Sequence, residues 1–301
     1  MTRWRLHPAA QPQRLIAPTL ALAAFYGGLF WVRIPAAPEP GSGLEEAESR
    51  RLQDESAVLR RFGKWERAVA PTLKLHTAYP ESHIYIAQLA EIYAHLGRHR
   101  EEAAMWEQFL ERSPAPIEGC PQIAEAYRKQ GMAVKSINAL ERCLAIDPTN
   151  PDSIFNLAHA LERNGEIEKS AALYARGFSA APNYWDLGVG LARARLRQGR
   201  VAEARSIAGQ IVRQAPQNVD GLLVLGLACR RQGDRPGARS YLEKGAHLSD
   251  RYADFHLALG QMAEEDANVD SAIRHYQKAV DAGQGNSDLA SRIEALKKVR
   301  Q

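Results

Sequence analysis

Residues 151–182 read PDSIFNLAHALERNGEIEKSAALYARGFSAAP. Leu157, Ala158 and Leu161 recur at helical spacing on one side of Gly165, and Tyr174 lies on the other side before Pro182 closes the stretch. That is the pattern of two amphipathic helices joined by a glycine turn and stopped by a proline. The same punctuation recurs outward in both directions. Prolines stand at Pro80, Pro114, Pro148, Pro182 and Pro216, and glycines at Gly63, Gly97, Gly131, Gly165, Gly199 and Gly233, every interval being 34 residues. Against a glycine background of about 7%, five further glycines fall in register by accident with a probability on the order of one in a million.

The neighbouring units agree. In 117–150, Ile123, Ala124 and Tyr127 precede Gly131, Leu140, Cys143, Leu144 and Ile146 follow it, and Pro148 closes the unit. In 219–252 the series is Leu225, Gly226, Cys229, Gly233, Ala238 and Leu242. A 34-residue helix–turn–helix period resembles the tetratricopeptide-repeat family. The resemblance covers residues 49–286, in seven repeats at 49–82, 83–116, 117–150, 151–184, 185–218, 219–252 and 253–286. It implies an all-α right-handed superhelical solenoid whose concave face binds peptides or other proteins. The edges depart from the pattern. Pro71 lies inside a second helix and is expected to kink it. Repeat 7 has Ala267 and Gln284 where glycine and proline are expected, and repeat 6 ends in Asp250. Residues 287–301 are read as a capping helix with the apolar stripe Leu289, Ile293 and Leu296 and Ser287 at its start.

In this family the inner surface comes from positions 2, 5, 6, 9, 12 and 13 of each first helix. That register places Glu118, Gln122, Glu125, Arg128 and Lys129 of repeat 3 on the groove, with Asp152, Phe155, Asn156, His159 and Glu162 of repeat 4. Repeat 5 adds Asp186, Val189, Arg193, Leu196 and Arg197, and repeat 6 adds Asp220, Leu223, Leu227, Arg230 and Arg231. Repeat 7 adds Asp254, Glu264 and Glu265. The expected groove has an apolar middle (Phe155, Val189, Leu196, Leu223, Leu227) and arginines along one edge. Arg193, Arg197 and Arg230 suit ligand carboxylates, and hence an extended acidic and apolar peptide. Some family members clamp a C-terminal carboxylate with lysines and asparagines. Only Asn156 matches that set here, so no clamp is expected.

The chain of 301 residues is 45% apolar and 25% charged, which excludes a wholly disordered chain and a multi-span membrane protein. Its net charge of +4 is not a nucleic-acid footprint. Arg3, Arg5, Arg14 and Arg33 offset Glu39, Glu45, Glu46 and Glu48 before the repeats begin, and the remaining excess is spread thinly. Residues 15–32, LIAPTLALAAFYGGLFWV, carry no charge. As a helix they span about 27 Å, close to the hydrocarbon core. Three arginines precede the stretch and Arg33 alone closely follows it, which predicts a transmembrane signal-anchor with the repeats outside the cytoplasm; the arginine- and alanine-rich composition suggests a bacterium, which makes that compartment the periplasm. A cleaved signal peptide and a buried helix are the alternatives. The run PAAPEPGSG at 35–43 reads as part of a linker over 33–48.

Three cysteines without a C-x-x-C pair exclude a zinc ribbon and a c-type haem site. Cys120 and Cys143 occupy positions 4 and 27 of one repeat, which antiparallel helices bring close. A disulfide and two small core residues both fit that placement. His95 and His99 flank the Gly97 turn, and Gly188 and Gly190 lie in a helix with no strand before them. Neither pair makes a metal or dinucleotide site. No H-E-x-x-H, G-x-S-x-G or phosphate loop is present. The expectation is a membrane-anchored scaffold in envelope assembly rather than an enzyme, with protein or peptide partners and with no cofactor, metal or nucleic acid. The rivals are a self-associating array meeting through repeat 7 and the last helix, and a cytoplasm-facing co-chaperone or signalling adaptor.

Overall fold

The computed structural model describes residues 21–25, 28–32, 44–249, 252–284 and 287–300. From residue 46 onward the described chain is a stack of antiparallel helix pairs. They are α1 (Glu46–Arg61) with α2 (Trp65–Ala78), α3 (His83–His95) with α4 (His99–Arg112), and α5 (Cys120–Lys129) with α6 (Ala133–Ile146). Next come α7 (Pro151–Arg163) with α8 (Ile167–Ala180) and α9 (Trp185–Arg197) with α10 (Val201–Gln214). The last pairs are α11 (Val219–Arg231) with α12 (Arg235–Leu248) and α13 (Ala253–Glu265) with α14 (Val269–Ala279), followed by α15 (Ser287–Arg300).

Each pair turns through a residue in the left-handed region. Six of these are the periodic glycines, with φ from +65° to +85°, and the seventh is Ala267 at φ +56°. The turn satisfies carbonyls that the helix end leaves free: Glu166 N–H donates to the Leu161 carbonyl (2.9 Å) and Gly165 N–H to that of Glu162 (3.2 Å). The first of these bonds recurs seven times, from Lys64→Leu59 to Asn268→Ala263. At the other end of several helices an amide or carboxylate side chain caps the first turn, as Asn150 does for Ser153 N–H and Asn218 for Gly221 N–H.

Small residues let neighbouring helices touch, within a pair and between pairs. Ala158, Ala192, Ala204, Ala238 and Ala272 are all fully buried. Where the small residue is glycine, an aromatic or a large aliphatic side chain fills the space: the Tyr174 ring lies against Gly190, Phe178 against Gly188, and Leu242 against Gly226. The largest core cluster runs through α9 to α13 and includes Ile211, Leu222, Leu225, Leu242 and Phe255. Each such side chain contributes roughly 2 kcal/mol by leaving water.

Several expectations are corrected. Pro71 lies buried inside α2, which continues past it from Trp65 to Ala78. Repeat 3 opens with a short 3-10 turn at Pro116–Gly119, and its helix starts only at Cys120. The stripe of α15 is not an exposed contact for a second copy: Leu289, Ile293 and Leu296 are buried against the repeat 7 cluster around Ala272 and Tyr276. Cys120 and Cys143 form a disulfide with Cα atoms 5.9 Å apart, and Cys229 is free and buried.

The helix predicted over 15–32 is also not what the described residues show. Ala21–Phe25 pairs antiparallel with Gly28–Val32, from Ala21↔Val32 to Phe25↔Gly28. Gly27 and Gly28 sit in mid-stretch, and glycine costs about 1 kcal/mol per residue in a helix interior while favouring tight hairpins. Residues 15–20 lie outside the described residues. Among the described residues no helix is long and apolar enough to cross a membrane.

Candidate functional site: the face of the first helices

Successive first helices pack on one another, α7 on α9, α9 on α11 and α11 on α13, and no comparable contact joins successive second helices among the described residues. The stack is therefore tighter on the first-helix side, and that side is the inner face. Phe155, Asn156 and His159 of α7 are half-buried on it, as are Leu223 and Leu227 of α11. The Phe155 and His159 rings lie parallel, 5.9 Å apart, one helical turn from each other. Partial burial holds the His159 imidazole below its ordinary pKa, with Arg193, Arg163 and Arg197 acting in the same direction against Glu162. Val189 and Leu196, predicted to line the groove, are instead core residues at 5% and 6% exposure. The turn of α9 is set by close packing at Gly188 and Gly190, which draws this helix into its neighbours.

The arginines do not offer themselves to a ligand in the way the sequence suggests. Arg193 Nε donates to Glu162 at 3.1 Å, and Arg197 pairs with the same carboxylate at 3.0 Å. Glu162 is 2% exposed and also accepts from the Tyr174 hydroxyl at 3.3 Å. Arg230 donates to Gln261 (2.6 Å) and pairs with Glu265, while Arg128 pairs with Glu125 on its own helix. Arg231 reaches back to the Leu196 carbonyl, and Arg292 to Glu264. Apart from the pair within α5 and the Tyr174 bond within repeat 4, these bonds link one repeat to the next, or repeat 7 to α15, across the C-terminal ends of the first helices. A burial-driven reason accounts for them: a carboxylate such as Glu162, removed from water, must be paired and hydrogen-bonded.

The opposite edge differs. Asp152, Asp186, Asp220 and Asp254 are the second residues of α7, α9, α11 and α13, spaced 34 apart. The Tyr184 hydroxyl donates to Asp152 and the Tyr252 hydroxyl to Asp220, each tyrosine sitting just before the next first helix and reaching back 32 residues to the start of its own repeat. Partial burial, then the fields of Asp220 and Asp152, hold the Asp186 carboxyl above the ordinary aspartate range. The sequence contained this edge as a 34-residue aspartate series, but a position-by-position tally of the groove hides it among the other charges.

Two models of the tetratricopeptide repeat match the chain, one over 127–187 and the other over 189–251 and 223–287, together just over half of its length. No curated protein matches. Among solved structures, a tetratricopeptide repeat protein of Parabacteroides merdae superposes with a TM-score of 0.66 at 15% identity, covering 83% of this chain and 98% of that one. The C-terminal part of a repeat protein from Cytophaga hutchinsonii gives 0.55 at 13% identity, over 79% and 98%. A thermophilic protein of the same kind from Thermus thermophilus gives 0.52 at 20%, over 60% and 98%. At these identities the likeness concerns the fold.

Proposed function

Because the chain belongs to the tetratricopeptide-repeat family, we propose that it is a non-enzymatic scaffold that binds partner proteins or extended peptides along the face of its first helices. One observation carries this reading. Phe155, Leu223 and Leu227 stay only partly buried on the inner face, where the neighbouring Val189 and Leu196 are fully packed. Apolar side chains left in a concavity between charged edges are what an extended segment needs for its own apolar side chains.

We further propose that residues 15–32 hold the array at a bacterial inner membrane with the repeats on the outer side. The support is the absence of charge over the stretch, the three arginines before it, and the Cys120–Cys143 bond, which suits an oxidising compartment. Only a helix would satisfy the backbone of these residues in lipid, so anchoring requires the pairing of Ala21–Phe25 with Gly28–Val32 to open on insertion. A reporter fused after Gln301 that is active only outside the cytoplasm tests the orientation; activity confined to the cytoplasm overturns it.

The groove is tested by crosslinked capture from native membranes with wild-type and Leu223→Arg/Leu227→Arg chains, both checked for unchanged helical circular dichroism. Partners captured by wild type and lost by the variant are expected. The same partners on both would move binding off this face.

A further inference from the structure

The two edges of the face carry opposite charges, but they are not equally available. On the C-terminal edge Arg193, Arg197 and Arg230 are already bound to Glu162, Glu265 and Gln261. On the N-terminal edge, among the described residues, no cation pairs with Asp152, Asp186 or Asp220; tyrosine hydroxyls orient two of these carboxylates without neutralising them. Aspartate in a first turn complements the helix dipole by a few tenths of a kcal/mol, and that explains the residue type at any one helix. It does not explain the distribution. The second position is Arg50, Ile84 and Glu118 in repeats 1 to 3 and aspartate in all of repeats 4 to 7, a stretch within which repeat 4 carries Phe155 and repeat 6 carries Leu223 and Leu227.

We propose that the face of repeats 4 to 7 takes an extended segment of a partner protein bearing a lysine or arginine at about every third residue, with apolar residues between. This rests on the groove binding proposed above and reverses the ligand charge expected from the arginines. Neighbouring helices pack about 8–10 Å apart. In the extended polyproline II form the chain advances about 3.1 Å per residue with three residues per turn, so every third side chain lies on one face and meets the next aspartate. The cationic side chains face Asp152, Asp186 and Asp220, and the apolar ones lie on Phe155, Leu223 and Leu227. The uncompensated negative charge also steers such a segment to the face.

The test is fluorescence anisotropy of the full chain in neutral detergent with two labelled synthetic peptides of equal length, repeating Lys-Leu-Ala and repeating Glu-Leu-Ala. The lysine peptide is expected to bind at least about tenfold more tightly, a difference of about 1.4 kcal/mol, and to weaken as salt rises. Asp186→Asn/Asp220→Asn is expected to remove about that tenfold advantage, whereas Glu243→Gln on the exposed face of α12 leaves it intact. Equal or tighter binding of the glutamate peptide overturns the proposal. So does unchanged lysine-peptide binding by the aspartate variant, or no binding of either peptide. If charge preference is absent while Leu223→Arg/Leu227→Arg still loses captured partners, only the polarity fails. If the lysine peptide binds that leucine variant as well as wild type, the groove itself fails.

Discussion

Ala267 occupies the turn position that glycine holds in the six preceding repeats, and it is the one non-glycine residue at positive φ among those described. A Cβ there costs roughly 1 kcal/mol, so Ala267→Gly is expected to raise the thermal midpoint of the repeat 7 transition by relieving that strain. Gly165→Val should do the opposite and cost about 1 kcal/mol or more. The cause is the +85° φ alone, since a Cβ on Gly165 meets nothing within 4 Å; the turn is open, not crowded. Paired melts of the two variants check both signs. A second residue-scale consequence concerns His275, whose imidazole is pushed down to about 4 by burial and by the nearby His256, Lys278, Arg274 and Arg239. The folded state thus binds fewer protons than the unfolded state, whose histidine titrates at its ordinary 6.5. Stability is full above pH 6.5 and falls as pH drops through the window down to about 4, by on the order of 2 kcal/mol after solvent screening. His275→Gln is expected to flatten that decline in melts at about pH 7.5 and about pH 5.

Within an element pair, the disulfide joins the start of α5 to α6 across 23 positions of sequence. Chain-entropy arguments give such a loop about 3 kcal/mol. Reduction by dithiothreitol should lower the midpoint of repeat 3 while leaving Cys120→Ala/Cys143→Ala unaffected, which calorimetry with and without reductant measures. Between pairs, Glu162 gathers Arg193, Arg197 and Tyr174 from two repeats. Glu162→Ala should cost about 2 kcal/mol by leaving those donors without their shared acceptor. The loss is expected as reduced hydrogen-exchange protection on both sides of the repeat 4–5 boundary. The elements themselves were legible beforehand because their marker is steric: a left-handed turn every 34 residues selects glycine, and glycine can be read directly. The ion pairs were not legible in the same way. Arg193 and Glu162 lie 31 residues apart, and a long guanidinium stem can reach several acceptors, so choosing among them requires the neighbouring helix to be in place. Val189 and Leu196 were misjudged for a related reason. They occupy groove positions of the family register, but glycines at 188 and 190 pull α9 inward and bury them.

At the scale of the whole molecule each repeat touches chiefly its neighbours, so stability is a sum of local terms and the array need not unfold as one. The N-terminal stretch shows where periodic reasoning ends. An uncharged run of 18 residues carries no 34-residue punctuation to fix its form, and the glycines at 27 and 28 are compatible with a hairpin as well as with a less favourable helix. The Cys120–Cys143 bond closes within one repeat rather than across two, so it leaves the stack free to bend and adds nothing to its curvature. Its consequence appears under mechanical load. An array pulled from its two ends releases chain repeat by repeat, but the loop between the cysteines stays locked while the bond is oxidised. In a single-molecule stretching trace, the fully extended oxidised chain should fall short of the reduced one by roughly 70 Å, the contour of the withheld loop at about 3.3–3.6 Å per residue less the span of the bond.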